Sequence, residues 1–209
     1  MSASPTFAQA RLRVRGLTVR RGERLLFADL AFELAPGEVL LLRGSNGTGK
    51  STLLLTLAGV VRAEGGSVEI TGPDELPQMH LLNYQHGIKA RLTAAENLGF
   101  WRRMYGETGV SVAEALQAVG IGGLAGLEAG YLSSGQVRRL SLARLLVSYR
   151  PLWLLDEPSA ALDRDGEALL GRLIDAHREA GGMAVIATHH ALPLANGGGI
   201  TTLVLGDSP

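Results

Sequence analysis

A glycine-rich segment at residues 44–52, GSNGTGKST, limits the folds open to this chain more than any other feature of its sequence. It fits the pattern G-x-x-x-x-G-K-[ST], in which backbone N–H groups surround phosphate oxygens. An apolar run at 38–43 (EVLLLR) precedes it, and a leucine-rich stretch at 50–59 follows it. A buried strand, a phosphate loop and a helix in this order predict an α/β domain that binds a nucleoside triphosphate.

Strand-like and helix-like segments alternate along the rest of the chain. The predicted strands lie at residues 12–20, 25–34, 38–43, 67–71, 80–84, 151–155, 183–188 and 200–205. Helical periodicity predicts helices at residues 50–59, 134–149 and 163–180. This alternation predicts a mostly parallel sheet with helices on its faces. A helical stretch from 93 to about 125, broken by glycines, interrupts the alternation and predicts a small helical lobe.

Composition excludes several classes of function. The 209 residues suffice for one large domain or two small lobes. Lys and Arg together number 20, as do Asp and Glu, so no basic surface for nucleic acid is indicated. The absence of cysteine excludes disulfides and Cys-ligated metals. No apolar run approaches the roughly 18 residues that cross a bilayer, so a role at a membrane requires a partner protein.

The phosphate loop assigns specific roles to its residues. Glycines at positions 44, 47 and 49 let the backbone turn its N–H groups inward, and the following helix adds its positive dipole end. Lys50 is expected to reach the β- and γ-phosphates of ATP, and the Ser51 hydroxyl is expected to hold Mg²⁺. The expected ATP ligands of this segment are Gly44, Ser45, Asn46, Gly47, Thr48, Gly49, Lys50, Ser51 and Thr52.

An acidic pair ends the apolar run at 152–158, LWLLDEP. Ligands of open α/β sheets bind at the carboxyl ends of the strands, where this pair would lie. Asp156 is placed to orient Mg²⁺, and Glu157 is placed to take a proton from an attacking water. The alternative is a solvated acidic turn that caps the next helix.

A third segment, LSSGQ at 132–136, identifies the kind of ATPase. By itself it is an ordinary helix start, with Ser133 or Ser134 accepting a backbone N–H. In the context of the other two segments, LSSGQVRRLSLARLL resembles the LSGGQ signature of ATP-binding cassette (ABC) ATPases. The resemblance extends from about residue 12 to about 205.

The resemblance to ABC ATPases implies the architecture. It implies a P-loop NTPase fold of the α/β class, an ABC-type nucleotide-binding domain with a mostly parallel sheet core, an N-terminal antiparallel β part and a small α-helical lobe. Residues 1–209 would form one ABC ATPase domain. The helical subdomain, at about 86–145, would be inserted in the RecA-like core.

The same resemblance implies further site residues. Gln85, at the end of HLLNYQ, is similar to the Q-loop glutamine that senses Mg²⁺ or water and faces the transport partner. Residues 159–163 (SAALD) resemble the D-loop, which contacts the opposite subunit. His189 resembles the switch histidine that touches the γ-phosphate and holds Glu157, although a lone histidine at a strand end is more often structural. The implied catalytic residues are Glu157, His189 and Gln85, and the implied Mg²⁺ ligands are Ser51, Gln85 and Asp156.

Family members pair head to tail, which implies a homodimer with ATP between the two ATPase subunits. ATP on one phosphate loop would meet the signature helix of the other chain. The residues that would reach ATP in trans are Ser133, Ser134, Gly135, Gln136 and Asp163. The sequence departs from the family pattern at two places. Ser134 replaces a glycine of the signature, and Arg20 or Arg21 replaces an aromatic residue that stacks on adenine. Of these two arginines, Arg21 is expected to contact ATP.

The segments at 22–54, 84–100, 133–146 and 151–158 resemble the ATP-binding subunits of cytochrome c maturation heme exporters. This implies binding to integral membrane transporter subunits at the cytoplasmic face of a bacterial inner membrane. ATP hydrolysis would support heme delivery or release at a periplasmic heme chaperone. The chain has no cysteine and therefore no CxxCH, so no direct heme contact is expected.

Three other functions remain open from the sequence. An ABC ATPase for a different cargo, such as lipid, peptide or drug, would carry the same cassette. Non-transport ABC proteins that act on ribosomes or DNA carry basic surfaces and two cassettes or long inserts. The one cassette and the zero net charge of this chain argue against that class. A P-loop kinase would not need LSSGQ.

Overall fold

The computed structural model describes residues 7, 9–71, 79–83, 87–195 and 198–206. Its strands are β1 (Arg11–Arg21), β2 (Arg24–Leu34), β3 (Val39–Arg43), β4 (Gly65–Thr71), β5 (Met79–Leu82), β6 (Leu152–Asp156), β7 (Met183–Ala187) and β8 (Ile200–Val204). Its α-helices are α1 (Lys50–Leu57), α2 (Ala94–Tyr105), α3 (Val112–Ala118), α4 (Ser134–Val147) and α5 (Arg164–Glu179). Short 3₁₀ turns lie at Gly122–Leu124 and Ala129–Tyr131.

The strands form two sheets, the parallel core that the strand pattern predicts and the N-terminal antiparallel part that the resemblance implies. The N-terminal sheet is antiparallel in the order β2-β1-β4, and the core sheet is parallel in the order β5-β6-β7-β3-β8. Leu42 of β3 and Asp156 of β6 both pair with Ala187 of β7. The carboxyl ends of these three strands therefore meet at one edge of the sheet, and the loops that follow them are neighbours.

Strand β6 separates two hydrophobic cores. Leu152 and Leu154 pack into the core shared with the N-terminal sheet, whereas Trp153 and Leu155 pack into the core shared with α4 and α5. Successive side chains of a strand point to opposite faces, so both faces of β6 are covered. The continuous apolar run LWLL is the sequence expression of this double burial.

The predicted helical stretch from 93 to about 125 contains a break that separates α2 from α3. Gly106 follows α2 with φ 88°, a conformation that favours glycine. At Gly109, an added Cβ would lie 2.0 Å from the Leu146 carbonyl oxygen, because this link packs against the end of α4. Helices α2, α3 and α4 contact one another. Among the described residues, no helix is both long and apolar enough for a transmembrane span.

Candidate phosphate-binding site

The loop between β3 and α1 has the backbone of an anion cradle. Gly44, Gly47 and Gly49 have φ angles of 139°, 86° and 101°, which favour glycine. At Gly44 a Cβ would lie 2.3 Å from the Leu205 carbonyl oxygen, so a side chain has no room there. Gly49 is the N-cap of α1 and leaves the first N–H groups of that helix without a side-chain cap. These donors and the helix dipole suit a phosphate group.

Lys50 lies along this loop and is only 7% exposed. Its Nζ donates to the carbonyl oxygens of Gly44 at 2.7 Å and Ser45 at 2.8 Å. An ammonium group has three donors, so a third remains for an anion inside the loop. The two carbonyl contacts hold the Lys50 charge against the loop.

An open cavity of about 380 Å³ lies in front of the loop. Its lining residues are Arg21, Arg24, Leu26, Asn46, Gly47, Gly49, Lys50, Ser51, Thr52, Asp156 and Glu157. Of the two arginines considered at the base position, Arg21 lines the cavity, whereas Arg20 pairs with Glu64 at 3.2 Å. Sequence reasoning missed Arg24, which faces Arg21 across the β1–β2 hairpin.

Asp156 ends β6 beside Ser51, whose side chain forms a hydrogen bond with the Asp156 carboxyl group. Burial raises the pKa of Asp156, and the negative charge of Glu157 raises it further. The Ser51 hydrogen bond and the positive charges of Lys50 and Arg138 oppose this rise. A carboxylate and a hydroxyl facing a phosphate loop are oxygen ligands of the kind that Mg²⁺ takes together with substrate phosphates.

Glu157 occupies a strained backbone position at the edge of the cavity. Its φ is 44°, in the left-handed region that few residues other than glycine adopt. Such a position costs on the order of 1–3 kcal/mol and persists only where its surroundings fix it. The Glu157 N–H donates to the Ala187 carbonyl oxygen at 2.8 Å, which ties this residue to β7.

His189 contacts Glu157, as the resemblance implies: His189 Nδ1 lies 2.9 Å from Glu157 Oε1. The histidine is held by Arg43, which donates from Nη1 to the carbonyl oxygens of Thr188 and His190 at 2.9 and 2.7 Å. Sequence reasoning missed Arg43. Its signal was a charged residue at the end of an otherwise apolar strand.

The signature residues line a different cavity, of about 490 Å³. Its lining residues are Gly120, Ile121, Leu124, Ser133, Ser134, Gly135, Gln136, Arg139, Ala161 and Asp163. Ser133 is the N-cap of α4 and forms a capping box with Gln136, and Asp163 is the N-cap of α5. One chain thus carries two cavities with anion-binding features and no lining residue in common.

Gln85 lies outside the described residues. Within the described part, no group of three or more His, Cys, Asp or Glu side chains could hold a metal ion by itself. His80 and His177 serve the core: burial lowers their pKa values to about 3 and about 4, and they contact the carbonyl oxygens of Ser148 and Met183. Neither lines the two cavities described above.

Comparison with known sequences finds close relatives. Residues 27–160 match the family model described as ABC transporter. The cytochrome c biogenesis ATP-binding export protein CcmA of Rhizobium meliloti (strain 1021) is 47% identical over 194 residues, which cover 88% of this chain and 94% of the relative. The protein of the same name from Rhizobium johnstonii is 48% identical over 191 residues, covering 86% and 88% of the two chains.

Solved structures share the fold. An ABC transporter ATP-binding protein from Pyrococcus furiosus superposes with a TM-score of 0.77 over 93% of this chain and 97% of its own, at 22% identity. A metal-chelate type ABC transporter in an inward-facing conformation gives a TM-score of 0.76 at 28% identity, covering 95% of this chain and 81% of its own.

Proposed function

This chain belongs to the ABC transporter family and, within it, to the cytochrome c biogenesis ATP-binding export proteins; from this membership we propose that it is the ATP-hydrolysing subunit of a heme exporter for c-type cytochrome biogenesis. Hydrolysis would drive heme delivery or release at a periplasmic heme chaperone. The observation that carries the proposal is the contact between His189 and Glu157 beside the Lys50 loop, in a chain 47% identical to a protein named for this pathway.

The residues around the cavity have the arrangement that ATP hydrolysis requires. The Lys50 ammonium and the N–H groups of the glycine loop bind the phosphates and stabilise negative charge that develops there. Glu157 takes a proton from the attacking water at its carboxylate. His189 orients that carboxylate through the 2.9 Å contact of Nδ1 with Oε1. Arg21 is the proposed contact to the base, in place of an aromatic ring.

Mg²⁺ fits the oxygen atoms beside the loop. Ser51 and Asp156 would hold it, with Gln85 as a further proposed ligand outside the described residues. When bound, the ion neutralises charge on the phosphate oxygens. The Ser51–Asp156 hydrogen bond keeps both ligands at the same wall of the cavity.

The separate signature cavity supports a head-to-tail homodimer. Ser133 and the Gly135 N–H lie at the N-terminus of a 14-residue helix, where an anion is stabilised by the helix dipole. In the proposed dimer this helix end covers ATP on the other chain, and Ser134, Gln136 and Asp163 border it.

The proposed site of action is the cytoplasmic face of a bacterial inner membrane. There the chain would bind integral membrane subunits through Gln85 and the helical subdomain at about 86–145, with no heme contact of its own. No helix of the described part could span the bilayer, so the membrane path would belong to those subunits.

Gene deletion with complementation tests the proposal. Deleting the gene in its host should abolish heme-stained c-type cytochromes, and wild-type chain should restore them. A Glu157→Gln chain should be produced normally and fail to restore them, because hydrolysis is lost. Normal heme staining in the deletion strain would overturn the heme-export function, while ATP hydrolysis by purified chain tests the ATPase separately.

A further inference from the structure

Arg138 does not line the Lys50 cavity, yet it contacts the backbone of Glu157. It lies in the first half of α4 and is only 2% exposed. Its Nη2 donates to the Glu157 carbonyl oxygen at 2.9 Å, and its Nε donates to the Ala160 carbonyl oxygen at 3.3 Å. The same Glu157 carbonyl accepts the Ala160 N–H at 3.1 Å. The guanidinium therefore braces the turn that begins at Glu157.

Neighbouring positions of α4 follow the same segment of chain. At Gly135 an added Cβ would lie 3.0 Å from the Ala161 carbonyl oxygen, so the helix start approaches that loop closely. Arg139 Nη2 lies 2.8 Å from Asp163 Oδ1. Helix positions three and four apart share a face, so one face of α4 contacts the chain from Glu157 to Asp163.

A buried arginine is a costly way to fill this space. Burial lowers the pKa of Arg138, and the charges of Asp156 and Glu157 only oppose that effect. Its Nη1 has no hydrogen-bond partner among the described residues. Replacement of buried charged groups by apolar residues is often neutral or stabilising, so stability alone gives little reason for a guanidinium here.

Glu157 is fixed at both ends of its strained backbone. Its N–H is bound to β7 through Ala187, and its carbonyl is bound to α4 through Arg138. The planar guanidinium of arginine has donors at fixed angles and restrains such a backbone position better than the flexible ammonium of lysine would. Rotation of this peptide would move the carboxylate away from His189.

We propose that Arg138 is a positioning residue for hydrolysis, which holds the left-handed backbone of Glu157 and thereby its carboxylate at the attacking water. This inference rests on the proposed role of Glu157 as general base. It also joins the two active sites of the proposed dimer, because the same helix carries Ser133 to the ATP of the other chain.

Arg138→Gln and Arg138→Lys test the inference in the full-length chain with its membrane subunits. Arg138→Gln should lower kcat by about 10- to 100-fold, since misplacing a catalytic group by about 1 Å costs about this much. Its Kd for ATP should stay within about twofold of wild type, since Arg138 does not line the Lys50 cavity. Arg138→Lys should restore part of kcat. The matched control is Arg172→Gln, which removes the same charge from an exposed position on α5.

The outcomes separate the inference from the proposed function. Wild-type kcat in Arg138→Gln, or a loss confined to Kd, overturns the positioning role while leaving the ATPase intact. Absence of hydrolysis by wild type overturns the proposed function itself. If Arg138→Gln does not fold, Arg138→Lys decides: a folded variant with reduced kcat and unchanged Kd supports the inference, and one with wild-type kcat overturns it.

Discussion

At the scale of single residues, Glu157 combines a strained backbone and a histidine contact at one position. Its carboxylate contacts His189, its backbone is left-handed and both backbone polar groups are bound. Functional sites are where such strain is found, because the surrounding structure can hold it. The strained turn therefore supports the proposed role of the carboxylate. The N-cap of α5 is Asp163 and not the acidic pair.

Glu157→Gln should lower kcat by about 10²- to 10⁴-fold, because the amide cannot accept the proton from water. ATP binding should persist, so the nucleotide-bound dimer should accumulate. Size-exclusion chromatography with labelled ATP measures this accumulation. Unchanged turnover in Glu157→Gln would exclude Glu157 as the general base.

Lys50→Ala is the companion variant. It should weaken ATP binding by roughly 10- to 100-fold through loss of a charged hydrogen bond.

His177 predicts an acid-dependent loss of stability. Burial lowers its pKa in the folded chain to about 4, from an ordinary value of 6.5, so the unfolded chain binds more protons between these values. The free energy of unfolding should therefore fall as pH falls from 6.5 toward 4, by about 3 kcal/mol from this residue.

His177→Gln tests this contribution, because glutamine can donate to the Met183 carbonyl oxygen and does not titrate. It should be less stable at neutral pH, since it loses the ring stack with Trp153 at 3.9 Å. Urea unfolding at pH 7 and pH 4 should show a smaller pH dependence than wild type. An unchanged difference between the two pH values would assign the acid sensitivity elsewhere.

At the scale of elements, the features predicted from the sequence depend on local patterns, whereas the features that were missed depend on tertiary contacts. The parallel sheet, the phosphate loop and the signature helix followed from apolar runs, glycine positions and helical spacing, because each depends on neighbours in sequence. The antiparallel N-terminal sheet was implied by the family resemblance. The link between α2 and α3 depends on packing against another element, because Gly109 lies against the end of α4. Arg138 was missed because its partners lie 19 and 22 positions away and nothing local marks it.

Two capping boxes offer a matched test of the signature helix. Ser111 with Glu114 starts α3, and Ser133 with Gln136 starts α4, each with reciprocal hydrogen bonds. Ser111→Ala and Ser133→Ala should each lower stability by about 1 kcal/mol through loss of the cap. Only Ser133→Ala should also lower ATPase activity, because that serine is proposed to bind the γ-phosphate.

Thermal unfolding and steady-state ATPase assays on both variants provide the measurements. Equal residual activity in the two variants would show that Ser133 acts only as a helix cap. That is the alternative interpretation of LSSGQ, as an ordinary helix start.

At the scale of the whole molecule, the proposed head-to-tail dimer would complete the two cavities of one chain by pairing them with those of its partner. In this proposal the Lys50 cavity supplies the glycine loop and Glu157 as the general base, and the signature cavity supplies a helix N-terminus. A head-to-tail dimer with twofold symmetry places each cavity of one chain against the other cavity of its partner. ATP would then contribute to the interface, and its hydrolysis would remove part of the attraction between the two chains.

Mixing two inactive variants tests this pairing. Lys50→Ala and Ser133→Arg should each abolish hydrolysis as homodimers. In a mixed dimer, the intact Lys50 of one chain faces the intact Ser133 of the other, which gives one complete site and one doubly defective site. With random pairing, half of the dimers are mixed, so activity should recover to about one quarter of wild type if each site works independently. If both residues served ATP on the same chain, every site would remain defective and mixing would restore nothing.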